Sequence, residues 1–156
     1  MALPTVTSIT KAEFDKSEPS LCLFFHDGSR RFARLELPNS DAHLVFAWRS
    51  DLVEPSVIVD ESRGLIWLGV DDRIASITFD GQLTFLLTLT SQLLALEPKE
   101  GSVVAVCELQ AIAVRLDGSI AEIIEFPDAL EDFTITRDGF SASFFGGSTT
   151  RFRVHG

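Results

Sequence analysis

The chain has 156 residues, 46% of them apolar, with 23 acidic and 13 basic side chains for a net charge of −10. That length and apolar content support a self-sufficient core, which excludes a disordered chain and one that needs metal or disulfide staples. The acidity repels phosphate backbones and anionic lipids, so nucleic acid and membrane are disfavoured as direct partners while a basic protein partner is permitted.

Taken in chain order, the first signal is helical. Thr10 and Glu13 in "TKAEF" have the spacing of a capping box, which predicts a short helix ending before Pro19. From there on the period is two. Alternating or apolar runs at 21–25, 32–37, 43–49, 56–60, 65–70, 74–79 and 83–89 predict strands in the first half. Runs at 93–96, 103–108, 112–116, 120–126, 133–137, 140–145 and 150–154 predict strands in the second. Gly, Asp and Pro punctuate them, so the fold class is all-β, antiparallel, as a single domain over 1–156. The longest apolar stretch, 83–96, is interrupted by Thr, Ser and Gln and is too short for a bilayer span. The N-terminal segment lacks a basic start followed by an apolar run, so a soluble cytoplasmic protein is expected.

The strands repeat. "GLIWLGVDDRIASITFDGQLTFLLTL" from residue 64 lies without a gap on "GSVVAVCELQAIAVRLDGSIAEIIEF" from residue 101. Gly64 meets Gly101, Asp71 meets Glu108, and Asp80-Gly81 meets Asp117-Gly118. Looser copies are "LCLFFHDGSRRFARL" upstream and "FSASFFGGSTTRFRV" downstream. The unit is a hairpin, with copies near 21–35, 65–79, 102–116 and 140–154, usually followed by an Asp-Gly turn and a third strand. Asp-Gly suits that turn because glycine accepts positive φ and Asp tolerates left-handed geometry.

The stretch "DESRGLIWLGVDDRIASITFDGQL" resembles a blade of the β-propeller repeats of bacterial sensor regulators. Asp60, Gly64, Ile66, Trp67, Leu68 and Gly69 carry the resemblance. It implies a repeat-built, propeller-like fold of about three and a half four-stranded units, and a binding role rather than an activity. Such an array could close by lending residues 6–9 to the last blade, could dimerise, or could stack its sheets as a sandwich.

The residues that could carry chemistry point away from catalysis. Asp71-Asp72 occupy a hairpin turn, where neighbouring side chains diverge and no calcium-loop pattern surrounds them. Their repeat partner is Glu108-Leu109, which marks them as turn residues that can still face a partner. None of His26, His43 and His155 belongs to a pair at ligand spacing or sits with Cys22 or Cys107 in a zinc pattern, so no metal site or cofactor is expected. Both cysteines sit in apolar runs and are expected to be buried thiols. No nucleophile elbow or phosphate loop is present, and no catalytic residue is assigned.

Charge is the remaining signal. Glu122, Glu125, Asp128, Glu131 and Asp132 form an acidic run with no base among them. Arg30, Arg31 and Arg34 in the first hairpin copy, with Arg151 and Arg153 in the last, form a basic patch if those copies are neighbours. The other outcome for them is cross-strand pairing with acids. The functional expectation is a non-catalytic acidic protein-binding domain, of the inhibitor or immunity type, that masks a basic partner such as a toxin. Its binding face would comprise the acidic run with Asp71, Asp72 and Trp67. The alternative is a ligand-sensing or scaffolding domain completed by self-association into a homo-oligomer.

Overall fold

The computed structural model describes residues 3–38 and 41–154. It is built from fifteen strands in four sheets, three of four strands and one of three. Chain contacts gather into two compact units, residues 1–88 and 89–156.

The first unit opens with β1 (Thr5–Ile9) and the helix α1 (Lys11–Lys16). The capping box forms as its spacing predicts: the Glu13 amide donates to Thr10 Oγ1 at 3.1 Å, and the Thr10 amide donates to Glu13 Oε1 at 3.3 Å. A single 3-10 turn at Pro19–Leu21 leads into β2 (Cys22–Phe24), β3 (Arg31–Glu36) and β4 (His43–Trp48). These strands form a sheet in the order β1-β3-β4-β2. A second sheet follows in plain sequence order from β5 (Ser56–Asp60), β6 (Leu65–Val70), β7 (Arg73–Thr78) and β8 (Leu83–Thr88).

The segment 21–35 departs from the expected hairpin. β2 pairs with β4 in parallel, and β3 lies between β1 and β4, so β2 and β3 never meet. β1 brings five residues into register with β3, against the two pairs of the short β2, and that pairing uses up the free edge of β3. Residues 6–9 are therefore spent in the first sheet rather than lent to the last.

The second unit holds β9 (Leu93–Lys99), β10 (Ser102–Cys107), β11 (Gln110–Arg115) and β12 (Ile120–Glu125), again a meander in sequence order. A three-stranded sheet of β13 (Leu130–Ile135), β14 (Gly139–Phe144) and β15 (Thr149–Arg153) completes it. Each consecutive meander has the form of a propeller blade.

The repeat read from the sequence is a backbone repeat too. Gly64 and Gly101 both have positive φ (65° and 77°), and so do Gly81 and Gly118 (93° and 88°). Central strands β6 and β10 are buried almost throughout, because their apolar runs are continuous on both faces. Alternation returns at the outer strands β8 and β12, which keep one wet face. In the first unit the core joins Leu35, Phe46 and Trp48 of one sheet to Ile66, Leu68 and Ile77 of the next. In the second, Phe126, Phe140, Phe144 and Phe152, four of the chain's thirteen phenylalanines, cluster in tilted and edge-on pairs with ring centroids 5.0–6.3 Å apart. The two fully buried rings, Phe140 and Phe144, each contribute about 1.5–3 kcal/mol through area alone.

Candidate functional site

The β6–β7 turn holds its two aspartates in different ways. Asp71 adopts φ 54° and is only 3% exposed. Its carboxylate accepts from the amides of Arg49 at 2.7 Å and Ser50 at 3.2 Å, fastening this turn to the end of β4. Asp72 is half-buried, and its Oδ1 lies 3.1 Å from His26 Nε2 and 3.6 Å from Arg73 Nε. Trp67 is 1% exposed, with its ring edge-on to Phe85 at 5.1 Å. Asp71 and Trp67 thus have no surface to offer a partner, which corrects the expected binding face. The physical reason is that the hairpin packs inside its unit, where a turn carboxylate is consumed by backbone donors.

The arginines follow the pairing outcome. Arg31 forks onto Glu54 at 2.7 and 2.9 Å, and its guanidinium sits 4.9 Å from the Trp48 ring centroid. The hydrogen bond from Arg31 holds the Glu54 carboxyl below the ordinary range. Arg30 meets Asp51 at 3.4 Å, and Arg34 meets Glu36 at 3.5 Å. Arg151 and Arg153 share Asp138 at 3.7 and 3.3 Å. All five have a carboxylate partner within their own unit, although Arg151 and Arg153 share one, so four of the five charges are matched where they stand.

The acidic run is distributed over β12, the loop after it, and β13. Glu122 is half-buried and shares a small crevice with Val104, Ala111, Ile124 and Val154. Glu125, three residues on, lies on the opposite side of the strand beside Ile123, and both are exposed. Asp128, Glu131 and Asp132 are exposed as well, and none of these four exposed acids forms an ion pair among the described residues.

Three loops meet beside this run. The Phe126 amide donates to Leu109 O at 3.1 Å, the Leu130 amide to Glu108 O at 2.8 Å, and the Phe145 amide to Ala129 O at 3.0 Å. These bonds gather the 108–109 turn, the 126–129 loop and the 145–148 turn at one end of the second unit. Two large apolar side chains stand out from it, Leu109 at 50% and Phe145 at 69% exposure. Exposed Glu108, Asp128 and Glu125 surround them, Glu125 through its pairing with Gln110. Neither hydrophobe was assigned from the sequence. The one signal for Leu109 was an apolar residue in a turn whose repeat partner is Asp72.

Neither thiol is set up as a nucleophile. Burial pushes the Cys107 thiol up to about 12, against a weaker opposing hydrogen bond with Ser91. Burial raises Cys22 as well. Among the described residues no three His, Cys, Asp or Glu side chains converge to hold a metal ion, and His155 lies outside those residues. Among the described residues no helix is long and apolar enough to cross a membrane.

No protein family matches the chain, and no curated protein does. Among solved structures, the WD40 β-propeller domain of Doa1 aligns at 16% identity and a TM-score of 0.49, covering 75% of this chain and 42% of that one. BBS1N in complex with ARL6DN aligns at 10% identity and a TM-score of 0.46, covering 91% and 45%. Myxococcus xanthus glutaminyl cyclase aligns at 12% identity and a TM-score of 0.40, covering 80% and 60%. The chain therefore spans less than two thirds of the length of each.

Proposed function

We propose that the protein is a non-catalytic binding domain that captures a basic protein partner on the loop end of its second unit. One observation carries this reading. Two exposed hydrophobes stand on mutually hydrogen-bonded loops, and the carboxylates around them have no cation of their own among the described residues. Apolar anchors on a pre-ordered backbone lose little entropy on docking, and such anchors contribute most of an interface's affinity. Unpaired acids at the rim speed association with a cationic surface and discriminate against acidic ones. The internally paired arginines leave that negative field uncompensated locally. In the inhibitor version of this reading, the captured partner is a basic protein such as a toxin, whose own site is masked.

Selection of a displayed random-peptide library on the immobilised protein tests the reading. Enriched peptides should combine Lys or Arg with an aromatic or leucine residue. Their affinity should fall at least about tenfold in a Leu109→Ser/Phe145→Ser variant. Glu125→Gln/Asp128→Asn should flatten the dependence of affinity on salt. Neutral or acidic enriched peptides, or cationic ones that bind both variants like the parent, would sink it.

Self-association has one observation in its favour. β15 is paired on a single side among the described residues, while the other three sheets have four strands. Symmetric antiparallel pairing of two β15 strands about Arg151 would set that side chain against its own copy, an arrangement like charges oppose. Light scattering at micromolar concentration distinguishes the two readings: a stable dimer supports self-association, and a monomer supports the binding domain.

A further inference from the structure

The first unit contains a cleft of about 630 Å³ that the binding reading does not use. Its walls come from α1 and the chain after it, from β2 to β4, and from β7 and β8. The size falls within the range of small-molecule sites, roughly 300–1,000 Å³. The lining is rich in phenylalanine. Phe14 packs against Phe32 at 5.3 Å and against Phe25 at 6.4 Å, and Phe24, Val45 and Leu86 continue the apolar wall.

The polar groups in that wall are unequal. Lys11 is 70% exposed and already holds Asp15 at 2.8 Å, so that pair is neutral and wet. Asp27 lies exposed at the surface. His26 is committed to Asp72, which does not itself line the cleft. Arg73 differs from all of these. Its side chain is only 23% exposed, and among the described residues its sole ionic contact is the 3.6 Å approach of Nε to Asp72, beyond hydrogen-bond length. Among the described residues its guanidinium makes no hydrogen bond, and Nε is a buried donor with no acceptor. A half-buried guanidinium presents a planar fork of donors that matches a carboxylate.

We propose that this cleft binds a small apolar carboxylate, with aromatic or aliphatic carbon against the phenylalanine wall and the carboxylate on Arg73. The wall supplies affinity without discrimination, since hydrocarbon contact is non-directional. The guanidinium supplies the selectivity, because an acid satisfies its free donors and a neutral isostere does so only in part. Asp72, itself held by His26, approaches only Nε of Arg73.

Two probes of equal shape test this by isothermal titration calorimetry: 2-naphthoate and 2-naphthamide. The acid should bind saturably and at least about tenfold more tightly than the amide. Arg73→Gln should erase that preference by weakening the acid far more than the amide. Leu86→Asp, at a position 41% exposed and so tolerant of a charge, should weaken the acid specifically. Amide resonances of the full chain shifted by naphthoate should include those of Phe32, Ala47 and Leu86. The inference is overturned if acid and amide bind alike, if naphthoate does not saturate by millimolar concentration, if Arg73→Gln retains the preference, or if the shifts lie elsewhere. Loss of folding in Arg73→Gln, seen as a collapsed fluorescence transition, transfers the decision to Leu86→Asp. There, naphthoate binding undiminished relative to the amide overturns the inference.

Discussion

Replacement of Asp71 tests how the first unit is held together. Its carboxylate accepts from two amides at 2.7 and 3.2 Å while 3% exposed, and its own backbone sits at φ 54°. Hydrogen bonds to a charged group are worth about 1.5–3 kcal/mol each, and donors left unmet in a buried site add a desolvation cost. Ala also resists left-handed geometry by about 1 kcal/mol, whereas Asn and Gly accept it. Asp71→Ala should therefore cost about 4–7 kcal/mol. Asp71→Gly loses both bonds but not the conformation, for about 3–6 kcal/mol. Asp71→Asn keeps an acceptor for only one of the two amides, since its NH2 replaces the second oxygen, and should cost about 2–4 kcal/mol. Urea unfolding followed by tryptophan fluorescence reads this directly, because Trp48 and Trp67 both belong to the first unit and both are buried. The midpoint should move in the order Asn, Gly, Ala with an unchanged slope. An Ala variant within about 0.5 kcal/mol of the parent, or a Gly variant worse than Ala, would refute the assignment of Asp71 as a backbone fastener.

Two further outcomes follow from local geometry. A Cβ on Gly139 would lie 2.0 Å from the Phe152 carbonyl oxygen, so Gly139→Ala should destabilise the chain by about 1–3 kcal/mol or more. Gly101→Ala, with open space around it but φ 77°, should cost only about 1–2 kcal/mol, and thermal denaturation of the two variants ranks them. Cys107 contributes a pH dependence at the alkaline end. Its folded thiol is raised to about 12 from an ordinary 9.0, so the unfolded chain releases that proton first. Its contribution is fully present below pH 9 and is lost as pH rises from there toward 12, by up to about 1.4 kcal/mol per unit. Urea titrations at pH 8 and pH 10.5 should show a smaller drop in Cys107→Ala than in the parent, and an equal drop would contradict the burial of that thiol.

Period-two patterning, Asp-Gly turns and the 37-residue offset determined the strands and most of their neighbours, because those signals act over a few residues. β5 and β6 have the bounds read from the sequence, and α1 is capped by the two side chains that predicted it. Strand partners in the first sheet were not legible. Nothing local to 21–35 says that β1 takes the edge of β3 and sends β2 to β4, since that choice depends on which long-range pairing satisfies more backbone groups. The fate of charge was equally non-local. Asp71 and Asp72 look alike in a turn, yet one is spent on amides 21 and 22 residues away and the other on a histidine 46 residues away. The sequence by itself determined the periodicity, the repeat and the negative charge. Only the tertiary structure decided which carboxylates are consumed inside, which hydrophobes are left outside, and that Arg73 enters a phenylalanine-lined cleft. Burial is a property of packing between segments distant in the chain, and no short window of residues contains it.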